Sequence, residues 1–285
     1  MKAGRASQTA SLVAFLRALA DLGFSSVPGF RDPTARHLLA PPWSLLLRLA
    51  ERRRQRAVAM ARKGSSVGVD QLALRTMLID AYLREALARG VRQVVILGAG
   101  LDGRAYRIQE LAGAAVFEVD HPATQSFKRA RLGSLTPTTQ RLHFVTVNFE
   151  KDSLDEALQQ AGHRPDEPTF FIWEGVVMYL TDEAVRRTLQ RVAARAAPGS
   201  GLVVNYATPG ASGGRTMSFV LRLWSEPMLG ERPTSTMKAL LEEAGFEAVE
   251  DSGIPEWAKR FGAQSHGATH YRLMLARTRS SDAKR

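Results

Sequence analysis

The chain has 285 residues, no cysteine and a formal net charge of +11. The missing thiols exclude disulfides, thiolate metal sites and a cysteine nucleophile, and no apolar run approaches the roughly 18 residues that a membrane span needs. Only seven of the 39 basic residues are lysine, so the excess charge is nearly all arginine. It is densest from Arg48 to Gly64 and returns in the tail "RTRSSDAKR". No aromatic stacking set or RNA-binding signature accompanies it, so a solvated helix face is expected rather than a nucleic-acid interface. An acidic small substrate also fits that charge.

Along the chain, the first 90 residues read as helices. "SQTASLVAFLRALADLGF" places Leu12, Val13, Phe15, Leu16, Leu19 and Leu22 on a helical stripe after a Ser/Thr start. It has no long apolar core before a small-residue cleavage site, so a signal peptide is not expected and a cytoplasmic enzyme fits. "FRDPTARHLLAPPW" is punctuated by Pro33, Pro41 and Pro42 and reads as turns and short helix. Asp70 to Leu87 reads as a further helix ending at Gly90.

From there strands and helices alternate. The expected strands are "QVVILGAG", Ala114 to Asp120, Leu142 to Phe149, Thr169 to Gly175, Gly201 to Ala207, "EAVEDSG" and "THYRLMLART". Near-continuous apolar strands separated by helical stretches imply a parallel sheet covered on both faces. The last two strands are joined by a segment with no clear helical stripe, which predicts a loop and an antiparallel partner. Seven strands with the last reversed is one more than the six parallel strands of a dinucleotide fold.

Gly98, Gly100 and Gly103 spell G-x-G-x-x-G where the first strand opens into a helix, the position at which open sheets bind adenosine cofactors. A dinucleotide would set its pyrophosphate on the amides opening that helix. Asp102 stands in the same turn, as a helix cap or as an anion that repels phosphate. S-adenosyl-L-methionine has no phosphate and brings an ammonium and a sulfonium instead. The charges therefore favour it over NAD. Asp120, 22 residues after Gly98, ends the second strand as a candidate for the ribose hydroxyls, and Glu118 shares its face by alternation. Asn148 and Phe149 follow the third strand, where an adenine edge and face would lie. Glu174 leaves the fourth strand at its functional end, and Tyr179 follows it by five residues.

Four linked stretches, "SQTASLVAFLRA", "LRTMLID", "QVVILGAGLDGRAYRIQE...VFEVDHPATQSFK" and "WEGVVMYLT", resemble the leucine carboxyl methyltransferase family and its polyketide O-methyltransferase-like relatives. The resemblance runs from about Ser7 to Phe246. It implies a Rossmann-like class I methyltransferase: a seven-stranded, mostly parallel sheet with a reversed last strand. Residues 1–90 would form an N-terminal helical lid and residues 91–285 the cofactor-binding domain. By the same resemblance Arg75 binds the cofactor carboxylate, Gly98 opens G-A-G, Asp120 is the ribose acid and Glu174 opens E-G-V-x-M-Y-L. Asn148 replaces the family's usual aspartate, and Gly103 its frequent threonine.

The acceptor decides what else the enzyme needs. A carboxylate, with an ordinary pKa of about 4, requires no general base, whereas a phenol or alcohol does. His121, His143, His266 and His270 are the candidate bases, and none has a clear acidic partner in sequence. Methylation of a carboxylate on a small, largely apolar acid is therefore expected, with a polyketide-type hydroxyl as the alternative and an NAD(P)-dependent dehydrogenase behind both. Arg17 or Arg75 would hold anionic groups, with Tyr179 beside the acceptor. The segment Thr208 to Pro233, with Met217, Phe219 and Trp224, would form a substrate wall. No metal is expected.

Overall fold

The computed structural model describes residues 7–53, 67–148, 152–211, 229–264 and 270–279. The first helix, α1 (Gln8–Leu19), starts where the Ser7 hydroxyl accepts a hydrogen bond from the Ala10 amide at 3.0 Å. It ends in a π turn, Ala20–Phe24, that Gly23 breaks with φ of 90°. Then come α2 (Trp43–Arg52) and the long α3 (Val67–Ala88), which begins three residues before its expected start.

Seven strands follow: β1 (Gln93–Leu97), β2 (Ala115–Asp120), β3 (Leu142–Thr146), β4 (Thr169–Trp173), β5 (Gly201–Ala207), β6 (Phe246–Gly253) and β7 (Tyr271–Thr278). They form one sheet in the order β3-β2-β1-β4-β5-β7-β6. All run parallel except β7, which is antiparallel to both β5 and β6. The expected sheet and its reversed last strand are the observed ones. Between the strands lie α4 (Arg104–Arg107), α5 (Pro122–Leu132), α6 (Leu154–Gln160), α7 (Asp182–Ala193) and α8 (Thr234–Glu243).

One connection differs from the expectation. Between β6 and β7 the chain forms α9 (Ile254–Arg260) instead of a plain loop. The Gly253 amide donates to the Glu256 carboxylate at 2.8 Å, and buried Trp257 donates through its indole N–H to Ser252 at 3.0 Å. Two turns of helix are too short to show a stripe in sequence. They return the chain for antiparallel pairing all the same.

Alternation along β1 builds two apolar layers. Val94 and Ile96 pack with α3 and α9, through Leu74, Leu78, Leu83 and Trp257. Val95 and Leu97 pack with Leu154, Val185, Leu189 and Leu241 on the opposite face. Each such side chain, fully buried, contributes about 1.5–3 kcal/mol. A third cluster joins Ala14, Ala18, Leu38 and Leu47 of the N-terminal helices to Leu101 of the glycine loop. The N-terminal segment is thereby seated on the carboxyl end of β1. Among the described residues no helix is long and apolar enough to cross a membrane.

Candidate active site

The strand order reverses between β1 and β4, and the loops leaving those two strands form the crevice in which open sheets bind ligands. Gly98 and Gly100 take φ values of 67° and 52°, the left-handed region that glycine enters without strain. A side chain at Gly98 would also collide with Val176. Gly103 has a different reason to be glycine. Its backbone is ordinary, with φ of −108°, but a Cβ there would run into Thr34 of the N-terminal segment. The third glycine of the fingerprint therefore serves contact with that segment rather than approach of a phosphate.

Asp120, at the end of β2, turns back to this loop. Its carboxylate accepts from the Gly100 amide and, at 2.6 Å, from the His121 amide. Burial pushes its pKa up, against the lowering effect of those two amides. Glu118 has a separate role, because it is buried in an ion pair with Lys128 of α5 at 2.5 Å. Of the two acids on β2, Asp120 is the one left at the crevice.

Glu174 follows β4 and is gripped on both oxygens. Arg75 of α3 donates from Nε to one at 2.7 Å, and Arg104 of α4 donates from Nη1 to the other at 2.8 Å. Burial alone would raise the Glu174 pKa, but Arg104, Arg75 and Arg17 bring it down to about 2. Arg75 is in turn fixed by buried Asn205 on β5, whose side-chain oxygen accepts from Nη1 at 3.3 Å. The result is a fixed cation and a fixed anion side by side.

The pair is the inner end of a larger network that sequence reading did not find. Arg104 is fully buried and also binds Asp80 of α3, at 2.8 Å, and Asp102. Asp80 binds Arg107 at 2.6 Å, Arg107 faces Asp32 at 3.6 Å, and Asp32 binds Arg17 of α1 at 3.2 Å. Asp32 stays ionised despite burial, because Arg17 and Arg107 hold its pKa below the usual range. Four guanidiniums, of Arg17, Arg75, Arg104 and Arg107, meet four carboxylates, of Asp32, Asp80, Asp102 and Glu174. The network is formally neutral, as burial at this depth requires.

Two charged side chains singled out in the sequence have their partners within this network. Asp102 caps α4 through the Arg104 amide at 2.7 Å, but its charge is met by the Arg104 guanidinium, so it no longer argues against a phosphate. Arg17, expected at the substrate, is committed to Asp32 and to the Leu101 carbonyl at 2.5 Å. It ties α1 to the glycine loop.

Asn148 lies past β3, where its amide donates to the Asp152 carboxylate at 2.8 Å. Tyr179 is half-buried at the end of a 3-10 turn, Val177–Tyr179. Arg232 staples the close of the expected substrate wall to that turn: it donates to the Val177 carbonyl at 3.0 Å and the Leu180 carbonyl at 2.6 Å. Phe149, Met217, Phe219, Trp224, His266 and most of the arginine-rich stretch after Arg53 lie outside the described residues. Each remaining candidate base has a structural engagement. His121 caps α5, its Nδ1 accepting from the Ala123 amide at 3.2 Å. His143 stacks on Phe117 at 4.8 Å between ring centroids, and the His270 ring lies beside Gly210, in the space a side chain there would need.

Comparison with known proteins agrees with this architecture. A crystal structure of a DUF574 family protein from Streptomyces avermitilis superimposes with a TM-score of 0.62 at 18% identity, covering 96% of this chain and 98% of that one. One from Thermobifida fusca, provisionally described as a methyltransferase, gives 0.57 at 17% identity, covering 98% and 97%. At these identities the likeness establishes the fold. A Mycolicibacterium smegmatis protein is 45% identical over 139 residues, 48% of this chain and 46% of its own length. A Mycobacterium tuberculosis protein is 38% identical over 198 residues, 68% of this chain and 56% of its own. Both carry the provisional name S-adenosyl-L-methionine-dependent methyltransferase, and the chain spans about half the length of these curated relatives. The family model for leucine carboxyl methyltransferase matches residues 10–193, which include most of α1, all of α3, the glycine loop, Asp120 and Glu174. The chain belongs to the leucine carboxyl methyltransferase family.

Proposed function

We propose that this chain is an S-adenosyl-L-methionine-dependent O-methyltransferase that acts on the carboxylate of a small, largely apolar acid. The observation that carries the cofactor is the Arg75–Glu174 pair at the point where the strand order reverses. An α-amino acid group is a zwitterion, and a fixed guanidinium beside a fixed carboxylate complements both of its charges. Asp120 supplies the acceptor for paired ribose hydroxyls. Gly98 and Gly100 keep side chains off the approach, and Asn148 borders the adenine. When bound, the cofactor supplies a methyl group activated on a sulfonium.

The protein's part is alignment and exclusion of water. The N-terminal lid of this reading, within residues 1–90, is held on the glycine loop by the Arg17 contact with Leu101 and by the fit of Thr34 against Gly103. Tyr179 borders the acceptor. The acceptor class is supported by the engagements of His121, His143 and His270, because a carboxylate is already ionised near neutrality and asks for no base. The cofactor is tested by calorimetric titration with S-adenosylhomocysteine and, separately, NADH: micromolar binding of the first alone supports the reading, and binding of NADH alone overturns it. The acceptor is tested by the pH profile of methyl transfer. A carboxylate acceptor gives a rate that is flat above about pH 6, whereas a phenol gives a rate that climbs toward its pKa of about 10.

A further inference from the structure

Arg104 is the most connected member of the buried network, yet it has no exposed surface of its own. Its Nε is held by Asp80 and its Nη1 lies between Asp102 and Glu174, while its Nη2 has no hydrogen-bond partner. The Glu174 side chain keeps 14% of its surface accessible, so it is the member through which the network reaches the crevice. Arg75 alone would hold one oxygen of Glu174 and leave the carboxylate free to turn about that contact. The second guanidinium, on the other oxygen, removes that freedom.

We infer that Arg104, braced by Asp80, is a positioning residue for the amino-acid end of the cofactor: shut off from the ligand itself, it fixes the orientation of the Glu174 carboxylate. This rests on the cofactor reading above and goes beyond it, because it assigns binding of that end to side chains that never touch it. Glu174 also owes its ionisation to these guanidiniums, since burial works the other way. Asp80 in turn keeps Arg104 in place, with Arg107 on its second oxygen at 2.6 Å. The arrangement separates two jobs. Glu174 and Arg75 meet the ligand, and Arg104 and Asp80 set them.

The test compares two ligands that differ only at the end in question. S-adenosylhomocysteine carries the amino-acid group, and 5′-methylthioadenosine retains the adenosine and thioether without it. Calorimetry on the full chain measures both ligands against wild type, Arg104→Met, Arg104→Lys and Asp80→Asn. Arg104→Met is expected to weaken S-adenosylhomocysteine by about 30-fold or more, the scale for breaking a buried charge pair, while 5′-methylthioadenosine changes by less than about threefold. Arg104→Lys, which keeps the charge without the fork, recovers part of the loss. In Arg104→Met the affinity for S-adenosylhomocysteine also falls more steeply with decreasing pH than it does in wild type, while the pH dependence for 5′-methylthioadenosine is the same in both. Removing a buried guanidinium can unfold the chain, so the milder Asp80→Asn carries the same ligand comparison, with an expected selective loss of about fivefold. Parallel loss of both ligands would reduce Arg104 to a structural role and overturn the inference, as would no loss of either. Wild-type protein that binds neither ligand would overturn the cofactor reading itself, a result distinct from both.

Discussion

Strands β2 and β4 flank β1, and each delivers a carboxylate to the same crevice by opposite means. Asp120 is held by backbone amides and is pushed toward protonation by its burial. Glu174 is held by two guanidiniums and stays ionised down to about pH 2. The first arrangement suits an acceptor of hydroxyl hydrogen bonds, and the second a permanent counter-charge for an ammonium. In the proposed reading, these two strand ends of one sheet serve different parts of one ligand by the company each acid keeps. Glu118, two residues before Asp120, marks the contrast from the other side, since its Lys128 partner closes it into the core with no access to ligand.

The largest effect should come from breaking that closed pair. Lys128→Met leaves Glu118 buried without its cation, and urea unfolding should show a loss of about 3–5 kcal/mol. Cofactor-product affinity of the folded variant should be unchanged, and a large loss of affinity would mean that Glu118 belongs to the site after all. Next comes Glu174→Gln, which keeps the shape and removes the charge. It should weaken S-adenosylhomocysteine by about 100-fold in calorimetry, in line with the cost of an unpaired buried charge on Arg75 and Arg104. Asp120→Asn should cost less, about tenfold, because an amide still accepts one hydrogen bond where the carboxylate offers two oxygens.

The smallest effect sharpens the contrast through pH. Lowering the pH protonates Asp120 before Glu174, since one pKa is raised and the other sits at about 2. Ligand binding that depends on the charged Asp120 is therefore lost first, as pH falls through the raised pKa, and wild-type affinity for 5′-methylthioadenosine should decline there. For stability the sign at Glu174 is the usual one for a depressed acid. Its contribution is complete above the ordinary value of 4.5 and disappears as pH falls from there to about 2. Acid-unfolding curves of wild type and Glu174→Gln should converge across that window.

Much of this was legible in the chain. Near-continuous apolar runs marked the strands, because each is buried on two faces, and the last was expected reversed although its connection holds α9 and not the loop on which that expectation rested. Arg75, Gly98, Asp120 and Glu174 could be located because each stands at a strand end or in a motif of fixed spacing. The network was not legible. Arg104 meets residues 24 and 70 positions away, Arg75 meets one 99 positions away, and no local pattern announces pairs at that distance. A hint existed in "LRTMLID", where Asp80 follows Arg75 on a helix otherwise rich in apolar residues. The charge of Asp102 was hard to read for the opposite reason: its partner is the next residue but one, and the spacing reads equally well as a cap.

The central claim is that Asp120 and Glu174 divide the cofactor between them. The most direct measurement titrates Asp120→Asn and Glu174→Gln with S-adenosylhomocysteine and with 5′-methylthioadenosine. Asp120→Asn should weaken both ligands alike, and Glu174→Gln should weaken only the ligand that carries the amino-acid end. Equal loss of both ligands in Glu174→Gln would contradict that division.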